Sequence, residues 1–403
     1  MAEPQSATRS ETHALLEVSS AFLKLGLTSF GGPIAHLGYF RDEFVGRRRW
    51  LDEKAYADLV ALCQFLPGPA SSQVGMSIGI LRAGVPGAVV AWLAFTMPSA
   101  IALILFAYGV RTYGALIQGG VLHGLKVVTV AVVAQAVWSM GRTLCADRRR
   151  FTIALLAAVL LLLWPGTLTQ LAVIAGGALL GWRLLPGGGD APPPSSHVRV
   201  GRGVATAAAV AFFALLALLP IAADAVGGTA LQMFDSFYRV GSLVFGGGHV
   251  VLPLLQSEVV PRGWVSNDVF LAGYGAAQAV PGPLFTFAAY LGASMSVTPN
   301  GWAGGLLCLV AIFLPSLLLV VAALPYWDRL RRIRTVQSAL AGVNAAVVGI
   351  LLAALYHPVW TSAIGSARDF ALALCAFLLL SAWRVSPWIV VLLTALGGAA
   401  LLR

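Results

Sequence analysis

Five stretches of the chain, residues 87–110, 116–140, 204–222, 302–325 and 336–356, stay apolar over about 20 residues, long enough for a helix to cross a bilayer. Four shorter apolar runs, 151–164, 168–185, 370–383 and 387–402, predict further helices that cross with less margin. No segment alternates with the period of two that a membrane β-barrel requires, so the pattern predicts an all-α polytopic membrane protein. One apolar run, 56–81, is interrupted by "QFLPGPASSQ" at residues 64–73. Pro67 and Pro69 lock φ and lack an amide donor, so no helix passes through them.

That interruption occurs twice. "FLKLGLTSFGGP" from Phe22 recurs as "FYRVGSLVFGGG" from Phe237, and "QFLPGP" at Gln64 recurs as "QAVPGP" at Gln278. Between and beyond them, Trp50 pairs with Trp264, "MPS" at Met97 with "LPS" at Leu314, and "GLKVV" at Gly124 with "GVNAA" at Gly342. The chain therefore reads as a polar tail (1–13), a first repeat (14–185), a Gly/Pro-rich linker (186–203), a connecting helix (204–222) and a second repeat (230–402). If each copy crosses an even number of times, the single connecting helix turns the second copy upside down. The expected architecture is then two inverted repeats with broken or hairpin helices at the SFGGP and PGP tips.

Composition agrees with this class: 59% of residues are hydrophobic and 10% charged. The net charge of +10 lies in short loops without a nucleic-acid motif, so it reads as topology, and no nucleic acid is expected as a partner. With the N-terminus in the cytoplasm and hairpins that return to the side they entered, the loops around Arg41–Lys54, Arg142–Arg150 and Arg329–Arg334 lie inside. Only Arg111, Arg262, Arg368 and Arg403 lie outside. A second topology, with thirteen full crossings, keeps the inversion but exposes the 41–54 loop. No cleavable leader is evident, and Cys63, Cys145, Cys308 and Cys375 are too scattered for a zinc site or a disulfide framework.

Unpaired backbone at membrane depth is tolerated where protein or a water-filled cavity satisfies it, so the breaks are expected to face a shared interior. A helix start offers free N–H donors and partial positive charge, which suits an anion. The candidate anion-binding residues are therefore Gly31, Gly32, Pro33, Gly68, Pro69, Ser71, Ser72, Gly247, Gly248, Thr286 and the flanking Gln64 and Gln278. Three cations inside apolar segments join them: Lys24 and Arg239 at equivalent positions, and Lys126, which lies about ten residues from either end of its run. Plain alternatives exist for each: kinks that serve packing, cations that reach an interface, and Asp58 pairing with Lys54 four residues away. His36 and His249 follow the two Gly-rich tips without being equivalent, too few ligands for a metal.

The run "FLKLGLTSFGGPIAHLGYFRDEFVGRRRWLDEKAYADLVALCQFLPGPASSQ", together with its companion from Phe237 to Pro283, resembles the chromate ion transporter family in its long, two-domain form. The resemblance implies export of chromate from the bacterial cytoplasm across the inner membrane, with resistance as the result. It implies no cofactor. Half-length members work as pairs, and a homodimer stays open here. One departure is the second tip, "FGGGH" in place of "FGGP". Chromate and sulfate are both tetrahedral dianions suited to amides, hydroxyls and cations, so another oxyanion or an anion channel remains an alternative reading. A membrane-embedded lipid-phosphate phosphatase would need acidic or histidine groups together at the tips, where this chain has Gly, Pro, Ser and a lone His.

Overall fold

A computed structural model describes residues 4–117, 120–186, 200–245, 248–327 and 333–401. Its regular structure is helical, and no strand occurs among the described residues. The first half runs α1 (Pro4–Thr28), α2 (Gly32–Arg41), a π-helical turn (Asp42–Arg47), α3 (Glu53–Phe65), α4 (Ala70–Ile117), α5 (Gly120–Leu144), α6 (Arg148–Leu163) and α7 (Thr167–Leu184). After α8 (Arg202–Val226), the second half runs α9 (Thr229–Leu243), α10 (Val251–Val259), α11 (Asn267–Ala277), α12 (Phe287–Ser294), α13 (Gly301–Ala323), α14 (Arg334–Ala354), α15 (Ala367–Ser381) and α16 (Pro387–Leu401). Five stretches, Ala70–Thr112, Gly120–Leu144, Arg202–Val226, Gly301–Tyr326 and Arg334–Ala363, are long and apolar enough to cross a membrane. Leu155, Leu156, Leu162 and Leu163 on α6, and Val210, Phe213, Leu218 and Ile221 on α8, are exposed, which a polytopic protein allows because its solvent there is lipid.

The element order of one half recurs in the other once a break in α4 is recognised. Ala83 and Gly84 leave helical geometry (φ 66°, ψ −162° at Gly84), dividing α4 into legs 70–82 and 85–117 that answer to α12 and α13. Each pair of legs folds back through facing glycines. A Cβ on Gly79 would lie 2.3 Å from the Gly87 carbonyl oxygen, and one on Gly292 would lie 2.2 Å from that of Gly304. Helices α2, α3, α10, α11 and α12 have 10, 13, 9, 11 and 8 residues. At 1.5 Å per residue each falls well short of the roughly 30 Å hydrocarbon core.

Packing between the halves is reciprocal. Helix α5 packs on α15 and α16 of the second half, while α14 packs on α6 and α7 of the first, and α5 and α14 meet each other. Small residues set both contacts: a Cβ on Gly124 would lie 2.4 Å from the Thr394 carbonyl, and one on Gly181 would lie 2.4 Å from the Ser338 carbonyl.

At two places the helix bounds differ from the apolar runs. Helix α1 reaches back to Pro4, into the polar tail, because an apolar run marks only the buried part of a helix. The run 116–140 straddles the junction between α4 and α5, so Lys126 stands six residues, about 9 Å, from the start of α5. Most of the linker, 187–199, the basic residues Arg329, Arg331 and Arg332, and Gly247 lie outside the described residues.

Candidate functional site

Each PGP turn needs its glycine. Gly68 has φ +122° and Gly282 φ +102°, and a Cβ would fall 2.3 Å from Ser316 Oγ or 2.8 Å from Ser99 Oγ. These glycines also cross-link the halves: the Gly68 N–H donates to the Val244 carbonyl (2.7 Å), and the Gly282 N–H donates to the Ser29 carbonyl (2.9 Å). The PGP turn of each half is thus tied to the Gly-rich tip of the other.

Helix starts follow directly. α2 begins at Gly32, with Gly31 as an N-cap at φ +101°, no side-chain cap and Pro33 in its first turn. α4 begins at Ala70 next to Pro69, leaving the amides of Ser71 and Ser72 without partners in their own helix. In the second half, short 3₁₀ turns at Gly248–Val250 and Leu284–Thr286 lead into α10 and α12. The four starts meet. The His36 ring lies 3.4 Å from Ser71 Oγ and 3.2 Å from the Ser29 carbonyl, and the 284–286 turn touches both α4 and the 248–250 turn.

Around this junction, polar atoms are buried without partners. Ser29 Oγ, Ser72 Oγ, Gln73 Oε1, Thr96 Oγ1 and Ser316 Oγ have none, and all five residues are at most 3% exposed. An unsatisfied buried polar atom costs about 1–3 kcal/mol; four of these five are hydroxyls that can donate, and Gln73 Oε1 can only accept. Gln73 is held in place by its Nε2, which donates to the Pro67 carbonyl (2.6 Å).

The predicted site residues divide into three groups. Gly31, Gly32, Pro33, Gly68, Pro69, Ser71, Ser72 and Gly248 come together at the junction. Thr286 is buried there, but its hydroxyl donates to the Pro283 carbonyl (2.7 Å); Gln278 is partly buried at the end of α11, and Gln64 is exposed. The cations are engaged elsewhere. Lys24 pairs with Glu43 (3.4 Å) and Arg239 with Glu258 (3.0 Å), each glutamate being 6% exposed, while Lys126 pairs with Asp268 (3.0 Å). Glu43 also receives Arg47 and Arg48, and Glu258 also receives Arg262. Sequence reasoning missed Thr96, Ser316 and the two glutamates. Ser316 lies in a repeated motif, and Glu43 and Glu258 stand the same distance from the paired tips, so the duplication held that signal.

The halves differ in one packing relation. α11 lies against α5, where Thr129 Oγ1 donates to the Leu271 carbonyl (3.2 Å) and a Cβ on Gly275 would meet the Leu125 carbonyl at 2.3 Å. Its counterpart α3 makes no comparable contact with α14 among the described residues. The α3 face carrying Lys54, Ala57, Ala61 and Gln64, ending at the PGP turn, is exposed.

Comparison with known proteins adds the following. The family described as chromate transporter matches residues 16–182 and 231–399, one block in each half. The chain is 30% identical over 370 residues to a chromate transport protein of Pseudomonas aeruginosa, covering 86% of this chain and 83% of that one. It is 25% identical over 351 residues to a chromate transport protein of Cupriavidus metallidurans, covering 85% and 82%. No solved structure matches the chain significantly.

Proposed function

Because the chain belongs to the chromate transporter family, we propose that it carries chromate out of the cytoplasm as a secondary transporter of the bacterial inner membrane, and so confers chromate resistance. The observation that carries the site assignment is the junction of four helix starts, with the hydroxyls of Ser29, Ser72, Thr96 and Ser316 unpartnered around it. Amide and hydroxyl donors hold a tetrahedral dianion without a metal or cofactor. Three of the four unpartnered hydroxyls, those of Ser29, Ser72 and Thr96, belong to the first half, and Ser71 adds another beside His36. The dianion binds mainly there, with Phe285 and its neighbours as apolar wall.

The two halves act as inverted repeats about an axis in the membrane plane. Reciprocal packing of α5 and α14 supports a twofold relation, and the single helix α8 between the copies supports the inversion. The exposed α3 face supports a cytoplasm-facing conformation, with access running from Lys54 past Gln64 to the PGP turn. With a negative interior, outward movement of two negative charges gains roughly 4 to 5 kcal/mol per 100 mV, so the membrane potential suffices as driving force.

Inside-out vesicles test this directly. Chromate uptake from the bath should saturate, should increase under an imposed lumen-positive potential and should be competed by sulfate to a measurable degree. Vesicles that take up no more chromate than those lacking the protein would overturn the reading.

A further inference from the structure

A charged cavity is lined by none of the residues of the helix-start junction. It encloses about 720 Å³ between α4, α5, α11 and the end of α12, room for about two dozen waters at roughly 30 Å³ each. Arg111, His123, Lys126, Asp268, Ser296 and Asn300 supply its polar lining. The α5–α11 contact at Thr129–Leu271 and Gly275–Leu125 lies next to it, since Lys126 and Ala272 line the cavity.

Its charges are unequally free. The Lys126 side chain is 15% exposed and retained by the cavity, whereas that of its partner Asp268 is 72% exposed. Asp268 can leave the pair and return to water at little desolvation cost, so the pair is worth little as a fastening. His123, one turn before Lys126 on the same face, bonds through Nε2 to Asp369 Oδ1 (2.8 Å). Asp369 is not free to compete, because its other oxygen accepts from the Gly365 and Ser366 amides and the Ser366 hydroxyl at the cap of α15. Of the charged groups lining the cavity, Arg111 and Lys126 thus face a single mobile carboxylate. Two cations match a dianion once Asp268 swings away.

The duplication sharpens the point. In the other copy, Lys54 stands where Asp268 stands and Asn344 where Lys126 stands. The carboxylate therefore belongs to the second copy only at this position, and a cation takes its place in the first.

We propose that this cavity is a second oxyanion site, at the outer end of the pathway, in which Asp268 competes with the departing dianion for Lys126. The inference rests on the export reading for its direction. Asp268 leaves the driving force unchanged. It lowers occupancy of the outer site, so that released or external oxyanion does not hold the carrier in its loaded form.

In inside-out vesicles the lumen corresponds to the outer face. Lumenal sulfate should slow initial chromate uptake from the bath. Asp268→Asn should lower the half-inhibiting lumenal concentration roughly two- to fivefold, the weight of an exposed ion pair. Lys126→Gln should raise it about tenfold or more, the weight of a charge-assisted hydrogen bond, and Lys126→Arg should restore it. Unchanged lumenal inhibition in both Asp268→Asn and Lys126→Gln overturns the proposal, as does an effect seen only with bath sulfate. If wild-type vesicles take up no chromate, the export reading falls alone. Binding of radiolabelled sulfate to the purified protein then decides the site: Asp268→Asn must tighten, and Lys126→Gln remove, one class of sites, and wild-type binding unaltered by both changes sinks it.

Discussion

At the scale of single residues, the junction separates groups that bind from groups that pack. Ser72 is buried with its hydroxyl unspent, whereas Phe285 is 1% exposed and its ring packs on Phe313 at 5.8 Å. Ser72→Ala should raise the half-saturating chromate concentration tenfold or more, since a hydrogen bond to a charged group is worth about 1.5–3 kcal/mol. Phe285→Leu should leave that concentration nearly unchanged while lowering rate or stability; equal damage to apparent affinity from both would refute the division. Gly68 is a stricter case. Gly68→Ala meets both a forbidden φ and the Ser316 hydroxyl, and should cost on the order of 2 to 4 kcal/mol, read as a lower melting temperature in detergent. Gly38→Ala, in a helix with nothing within 4 Å of the new Cβ, should stabilise by up to about 1 kcal/mol.

At the scale of elements, buried glutamates tie the short helices to their neighbours. Lys24 on α1 and Arg47 and Arg48 after α2 converge on Glu43, while Arg239 on α9 and Arg262 after α10 converge on Glu258. Trp50 stacks on Phe44 beside the first glutamate, with the guanidinium groups of Arg48 and Arg82 over its ring. Glu43→Gln strands three cations and should destabilise by roughly 1 to 3 kcal/mol, toward the low end because Lys24 and Arg47 are more than half exposed. Burial would raise the Glu43 carboxyl, but hydrogen bonds from Arg47 and Arg48 and the charge of Lys24 outweigh it and push it down to about 2, from an ordinary 4.5. A depressed carboxyl stabilises fully above its unfolded value and loses that contribution as pH falls through its folded one. The difference in melting temperature between wild type and Glu43→Gln should therefore be constant above about pH 5 and shrink between 4.5 and 2. A difference that does not narrow on acidification would remove Glu43 from this role.

At the scale of the whole molecule, what matters is which faces of the two halves are open. If transport exchanges an α5–α11 contact for an α3–α14 contact, a cysteine at Ala57 or Ala61 should react with an impermeant thiol reagent in inside-out vesicles, and saturating chromate under lumen-positive potential should slow that reaction. Labelling that ignores both chromate and potential would argue for a fixed crevice. Orientation is tested in intact cells, where a cysteine at Arg149 should resist the external reagent. The loop from Arg41 to Trp50 distinguishes returning hairpins, which keep it inside, from full crossings, which expose it.

From sequence alone, hydropathy established an all-α membrane protein, self-comparison established the duplication, and the Pro-Gly breaks located Gly31, Gly68, Pro69 and Ser72. These properties are local: a proline ends a helix, and an apolar run partitions into lipid, whatever the rest of the chain does. Long-range pairing was decided by the tertiary structure. Only there does the PGP turn of one half bond the tip of the other, across 176 residues from Gly68 to Val244. Only there do Glu43 and Glu258 take up the charges of Lys24 and Arg239, and does Lys126 meet Asp268 beside a cavity. Hydropathy scores each residue by its own transfer energy, whereas the cost of a buried charge or hydroxyl depends on the partner that folding brings to it, and that partner lies far away in the chain.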